Sequence, residues 1–332
     1  MQGLRRFLLV AIAMVAVVGF VSAGGSKEGA GPAKKVVIAF SPGVTTNPFY
    51  VAMQYGAVTA AKKYNVELIW QGGQQWDFNQ QSVAVQSMLT QKPDALILSP
   101  TDPEALKPLL RQAVSQGALV ITTDTDINDP DFTFRKEWIG SDNVKGGQMA
   151  GEALAKALKG KGDVALMGAL VGVTTNEDRY KGFKQALANY PDIHIVTTQY
   201  SNDDQATAAS QMQSVLLANP NLAGAFGVDT PTAHGCAVAI KNANMGGKVV
   251  LVGFDSQPLE VEDLKAGLTT MLVTQGPYQM GYMSVENAYK FITGQLKQIP
   301  QKITTDMYVI TPQNVNDPET AKWVYQTQLP SN

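Results

Sequence analysis

Cysteine and histidine are nearly missing from this chain. One cysteine, Cys236, and two histidines, His194 and His234, stand among 332 residues. Those counts exclude an intramolecular disulfide and any metal centre built mainly from Cys or His. A Ser-His-Asp triad would have to use one of the two histidines. No G-x-S-x-G elbow, G-x-G-x-x-G loop or P-loop occurs, so neither an enzyme nor a bound cofactor is expected. Charge is sparse as well. Charged residues make up 16% and the formal net charge is −2, which argues against a nucleic-acid partner held by a basic surface.

Long apolar runs are limited to one, Phe7 to Val21. It is too short for an ordinary bilayer-spanning helix. Arg5 and Arg6 precede it and Val21-Ser22-Ala23 follows, with small residues where a signal peptidase wants them. Residues 1–23 therefore read as a secretory signal, and 24–34 as a flexible leader rich in Gly and Lys. No cysteine follows the run, so a lipoprotein anchor is not supported. An exported, monomeric protein is expected, periplasmic or extracellular.

What the chain does have is a globular composition, 45% apolar, long enough for about two domains. Short apolar runs alternate with helical patterns. Val36–Phe40, Val66–Trp70, Ala95–Leu98 and Leu119–Thr122 read as strands, separated by helices over Pro48–Tyr64, Asn79–Gln91 and Pro103–Gln116. The alternation restarts with strands at Val164–Met167, Ile193–Thr197, Ala223–Val228 and Val249–Val252. Such β-α-β order predicts parallel sheets covered by helices on both faces. The halves also share words. Gly43-Val44-Thr45-Thr46-Asn47 returns as Gly172-Val173-Thr174-Thr175-Asn176, and the strand ending at Asp124 matches one ending at Asp255 at nearly the same offset. The fold class is α/β, with two similar, doubly wound parallel-sheet lobes.

Ligands in open α/β sheets sit at the carboxyl ends of strands. Those ends carry Ser41, Asn47, Phe49, Tyr50, Trp76 and Asp124 in the first half, and Arg179, Asp203, Asp229 and Asp255 in the second. Carboxylates, an amide, an arginine and aromatic rings suit a small polyhydroxylated molecule. Rings cover C–H faces, and charged groups make strong bonds to vicinal hydroxyls. Bland readings compete: an Asp at a strand end also caps the next helix, and Phe49 and Tyr50 also fit a core. Trp138 and His194 read as structural, and His234 as packing or surface. The acidic run Asp124, Asp126, Asp129 and Asp131 lacks the glycine of a calcium loop, and no metal is expected.

These motifs resemble those of a known family, the periplasmic sugar-binding proteins of ABC importers with the type I fold, in the ribose/xylose/galactose group. The resemblance covers roughly residues 35–310. It is carried by Asn47-Pro48-Phe49-Tyr50, Val120-Ile121-Thr122-Thr123-Asp124, Gly140-Ser141-Asp142-Asn143, Arg179-Tyr180-Lys181-Gly182-Phe183, Val252-Gly253-Phe254-Asp255 and Gln275-Gly276-Pro277. It implies a ligand cleft between lobes joined by a three-crossing hinge near Ser141, Gln275 and Asp306. The first lobe would be 35–141 plus 276–306, and the second 142–275 plus 307–332. It implies that Asn47, Phe49, Tyr50, Asp124, Arg179 and Asp255 contact ligand, with Ser41 as a rim contact and Gln275 at the hinge edge. It also implies delivery of a monosaccharide or polyol to the membrane subunits of a permease with a cytoplasmic ATPase. The sequence departs from the ribose-binding pattern at Thr125, Asp203, Asp229 and Trp76, and four acids face one arginine. That surplus keeps a second ligand class open, a furanosyl signal of the autoinducer-2 type or a cationic amine. The stretch Thr311–Asn332 is expected to pack along the second lobe.

Overall fold

The computed structural model describes residues 35–326, 328 and 329, so the signal and leader expected over 1–34 lie outside the described residues. The chain begins with β1 (Val37–Ser41), α1 (Pro48–Tyr64), β2 (Glu67–Trp70), α2 (Phe78–Leu89), β3 (Ala95–Leu98), α3 (Lys107–Ser115), β4 (Leu119–Thr123) and β5 (Glu137–Ser141). It continues through α4 (Asn143–Ala157), β6 (Lys161–Gly168), α5 (Thr174–Leu187), β7 (Asp192–Tyr200), α6 (Gln205–Ala218), β8 (Leu222–Gly227), α7 (Thr230–Asn242), β9 (Val250–Phe254), α8 (Pro258–Lys265) and β10 (Met271–Thr274). It closes with α9 (Pro277–Ile292), β11 (Lys302–Thr305), β12 (Tyr308–Ile310) and α10 (Pro318–Ala321).

The described residues form two six-stranded sheets, ordered β11-β5-β4-β3-β1-β2 and β12-β10-β9-β8-β6-β7. The first is parallel throughout, and the second is parallel except for β12. Apolar clusters lie on both faces of each sheet, which explains why β3 and β4 are buried at every position. The chain passes between sheets three times, after Ser141, after Thr274 and after Thr305. In each sheet the winding reverses beside the opening strand, between β1 and β3 and between β6 and β8, which is where a doubly wound sheet opens a crevice.

Each lobe is braced by one very close helix pair. In the first, a Cβ on Gly281 of α9 would lie 1.9 Å from the Met53 carbonyl oxygen, and one on Gly56 of α1 2.0 Å from that of Tyr278. In the second, a Cβ on Gly182 of α5 would lie 1.9 Å from the Val144 carbonyl oxygen, and one on Gly147 of α4 2.2 Å from that of Arg179. Only glycine lets backbones approach so closely.

Two sequence expectations need adjusting. Helix α3 starts at Lys107 rather than Pro103, because Asp102 Oδ1 accepts from the amides of Glu104 and Ala105 and holds that stretch in turns. In the tail, Val315, Trp323 and Val324 pack on the second lobe, but Tyr325 leaves it and joins the first-lobe core around Phe49 and Tyr50. The lone Cys236, on α7, is completely buried, and burial pushes its thiol pKa up.

Candidate functional site

Strand ends build the site, and they share a backbone device. Asp124, Asp203 and Asp255 all adopt left-handed φ, at 63°, 60° and 84°. Asp tolerates that region better than most residues, so the chain can leave the sheet sharply at these points. Asp124 N–H donates to the Ile139 carbonyl and Asp255 N–H to that of Val273, each at 2.8 Å. The two lobes thus present a carboxylate at equivalent places.

A cavity of about 80 Å³ lies between these ends. It is lined by Asn47, Phe49, Tyr50, Trp76, Asp124, Arg179, Asp203, Asp229, Asp255 and Gln275, ten of the sequence-expected site residues. The eleventh, Ser41, does not line it. It is still paired within β1, opposite Leu98, and is 0% exposed, with its Oγ facing no partner. The cavity also takes Val44, Thr125, Leu170, Val173, Thr175, Asn176, Thr230 and Pro231, which the sequence alone does not assign to the site. A signal for some was present: Val173 and Asn176 are the second-lobe copies of Val44 and Asn47 in the repeated motif.

Each side chain is held. Tyr50 Oη donates to Asp124 Oδ2 at 2.7 Å, and the Phe49 and Tyr50 rings meet edge-on at 5.1 Å. Trp76 closes over Gly43, where a Cβ would come within 2.5 Å of the indole. The Arg179 guanidinium lies 3.8 Å above the Phe254 ring, donates from Nε to Asn143 Oδ1 and from Nη1 to the Val228 carbonyl, both at 2.8 Å. Those anchors leave its Nη2 group for the cavity. Gln275 Nε2 donates to Asp255 Oδ1 at 2.7 Å, while its Oε1 is buried without a partner.

The capping alternative turns out not to be exclusive. Asn47 Oδ1 accepts from Phe49 N–H at 2.9 Å and Asp229 Oδ1 from Thr232 N–H at 3.1 Å, yet both line the cavity. Asn47 Oδ1 also accepts from Gln257 Nε2 at 3.1 Å, and Asp126 N–H donates to Thr174 Oγ1 at 3.3 Å, so hydrogen bonds cross from lobe to lobe. The acidic run is occupied otherwise: Arg135 pairs with Asp126 and Asp129. Trp138 is buried and donates to the Asp124 carbonyl. Neither histidine lines the cavity, and His234 bonds Asp263 instead.

Burial governs the protonation of the acids. It raises Asp124 to about 6, partly offset by the Tyr50 bond and by Arg179. It raises Asp203 to about 8, and the neighbouring Asp229 charge adds to the rise. Asp203 is therefore largely protonated at neutral pH. A folded-state pKa above the unfolded value means stability that is full below about pH 4 and lost as pH rises toward 8. Asp203→Asn removes that dependence. The variant should gain unfolding midpoint over the parent progressively from pH 4 to pH 8 and then hold a constant lead. A lead that does not change with pH would show that Asp203 is already ionised in the folded protein.

Comparison with known proteins places the chain. Residues 38–296 match the model of the periplasmic binding protein domain, and the chain belongs to that family. It is a binding protein rather than an enzyme. An ABC transporter solute binding protein from Agrobacterium vitis, solved with alpha-D-tagatopyranose, is 37% identical, with 88% of this chain and 100% of that one covered and a TM-score of 0.84. The ribose import binding protein of Bacillus subtilis is 27% identical over 268 residues, 81% of this chain and 85% of its own. The D-ribose/D-allose-binding protein of Pseudomonas aeruginosa is 28% identical over 256 residues, 75% and 80% of the two chains.

Proposed function

We propose that this protein is an extracytoplasmic receptor that closes on a monosaccharide or polyol and delivers it to the permease of an ABC importer, energised by a cytoplasmic ATPase. The observation that carries the reading is the interlobe cavity, where carboxylates from both lobes, Arg179 and the rings of Phe49 and Trp76 converge. In this reading the rings cover apolar C–H faces of the sugar. Asp124 and Asp255 accept from hydroxyls, Arg179 Nη2 donates, and Asn47, Asp229 and Gln275 complete the set. Charged partners make such bonds strong, and a misplaced hydroxyl would leave one of them unpaired, which is how stereochemistry is read. Residues 1–23 act as the export signal. Residues 35–141 with 276–306, and 142–275 with 307–332, act as the two moving lobes of a monomer, and closure presents a composite face to the permease.

Four acids against one arginine favour a second reading, a cationic amine or a furanosyl signal. The raised pKa of Asp203 weakens it, since protonation of that acid lowers the charge without a cation. Thermal unfolding against D-tagatose, D-ribose, D-allose, D-arabinose, xylitol and a set of amines separates the two. A sugar at about a hundred times its Kd should add roughly 2.7 kcal/mol, several degrees in midpoint. A response to amines alone would overturn the sugar.

A further inference from the structure

Tyr325 belongs to the tail, beyond the matched family segment that ends at residue 296. Three anchors fix that tail to the second lobe. The Trp323 ring stacks on Tyr308 of β12 at 5.4 Å and 8°. The Trp323 carbonyl accepts from the hydroxyls of Ser256 and Thr274, and Tyr325 N–H donates to the Ser256 carbonyl at 3.0 Å. The Tyr325 side chain then turns toward the cleft and is 4% exposed. Its hydroxyl donates to Asp255 Oδ1 at 2.8 Å and accepts from the Gln275 amide at 3.1 Å, at a hinge crossing. Its ring meets Phe49 of the first lobe edge-on, with centroids 5.7 Å apart.

The arrangement is selective. Gln275 Nε2 and Tyr325 Oη both bond the same Asp255 oxygen, Oδ1. The other, Oδ2, has no hydrogen bond among the described residues. A carboxylate held by two donors on one oxygen has its plane set and its second oxygen kept for something else.

We propose that Tyr325 is a positioning residue of the ligand site: the tail reaches back across the hinge, aims Asp255 at the bound sugar and backs the Phe49 ring that covers it. This rests on the sugar reading above. The site is thus completed by a segment beyond residues 38–296, and ligand selectivity depends on the tail.

Tyr325→Phe keeps the ring and removes the hydroxyl. By calorimetry, the sugar that binds the parent best should bind the variant roughly tenfold or more weakly, the usual effect of losing a hydrogen bond to a charged group. In a double-mutant cycle with Asp255→Asn the two losses should not add, because both act through one carboxylate. A lowered unfolding midpoint with unchanged affinity and additive effects would make Tyr325 a mere structural prop and overturn the proposal. A parent that binds none of the sugars would sink the sugar reading instead. The tail is then judged on the ligand-free protein by carboxyl-carbon NMR. Loss of the phenol donor should raise the Asp255 titration midpoint in Tyr325→Phe, since the bond favours the charged carboxylate. An unmoved midpoint overturns the proposal. If the variant does not fold, hydrogen exchange in the unmutated protein decides. Sugar should slow exchange of the Gln275 and Tyr325 amides, and equal rates with and without sugar overturn it.

Discussion

Arg179→Met should weaken ligand binding by about thirtyfold or more. The guanidinium is the only basic group lining the cavity among the described residues, and it is buried beside Asp124 and Asp255. Truncating one member of a buried, hydrogen-bonded charge set typically costs about 2–5 kcal/mol of binding, or about thirtyfold to several thousandfold in Kd. Methionine keeps the apolar contact with Phe254 and the approximate length, so the loss is electrostatic rather than steric. The fold suffers too. Asn143 Oδ1 and the Val228 carbonyl lose their donor, and the acids lose their counter-charge, for about 3–5 kcal/mol. Because Arg179 lowers the pKa of both Asp124 and Asp255, its removal raises their folded-state values further. The penalty should therefore be larger at pH 7 than at pH 4. Calorimetry with a sugar that the parent binds, and unfolding at both pH values, check the two halves. Affinity within threefold of the parent would remove Arg179 from the site.

Gly281→Ala should destabilise the protein by about 3 kcal/mol, at the upper end of overpacking effects, and lower the midpoint by roughly 5–10 °C. Two effects oppose each other here. Helix propensity alone predicts a gain of about 1 kcal/mol for Ala over Gly in a helix interior. The new Cβ would stand 1.9 Å from the Met53 carbonyl oxygen, so α9 and α1 must move apart along their contact. Backbone cannot yield as a flexible side chain can, so the steric effect wins. Since α1 opens with Phe49 and Tyr50, the displacement should also weaken ligand binding. Gly117→Ala is a useful comparison: its φ is +86° but nothing lies within 4 Å, so only backbone strain opposes the change. A Gly281→Ala protein more stable than the parent would show that the helix pair is loosely packed.

Much of this architecture could be read from residues. Strands such as Ala95–Leu98 are apolar throughout because helices cover both faces, and the regular alternation of such runs with helical ones leaves few topologies. The cavity-lining acids were visible because strand ends are few and Asp124, Asp203, Asp229 and Asp255 fall at them. The same rule does not separate Ser41, which lines no part of the cavity, since a run buried on both sides carries no alternation to say where the sheet ends. The repeat pairs Val44 with Val173 and Asn47 with Asn176, so the second-lobe lining residues were legible from the position of Asn47. Tyr325 had no local signal at all. Its partner Asp255 lies 70 residues away, and no periodicity links a tail to a strand end.

The seclusion of Cys236 has a practical consequence. A thiol with no solvent exposure and a raised pKa does not compete for a maleimide under native conditions. Cysteines introduced as a pair, one on the outer surface of each lobe, become the reactive thiols of the folded protein. Donor and acceptor dyes on them would report lobe separation molecule by molecule, in the parent background and without removing a native residue. The same silence turns Cys236 into a clock. Its slow labelling measures how often the packing of α7 against the second sheet opens, and a ligand that holds the lobes shut should slow it.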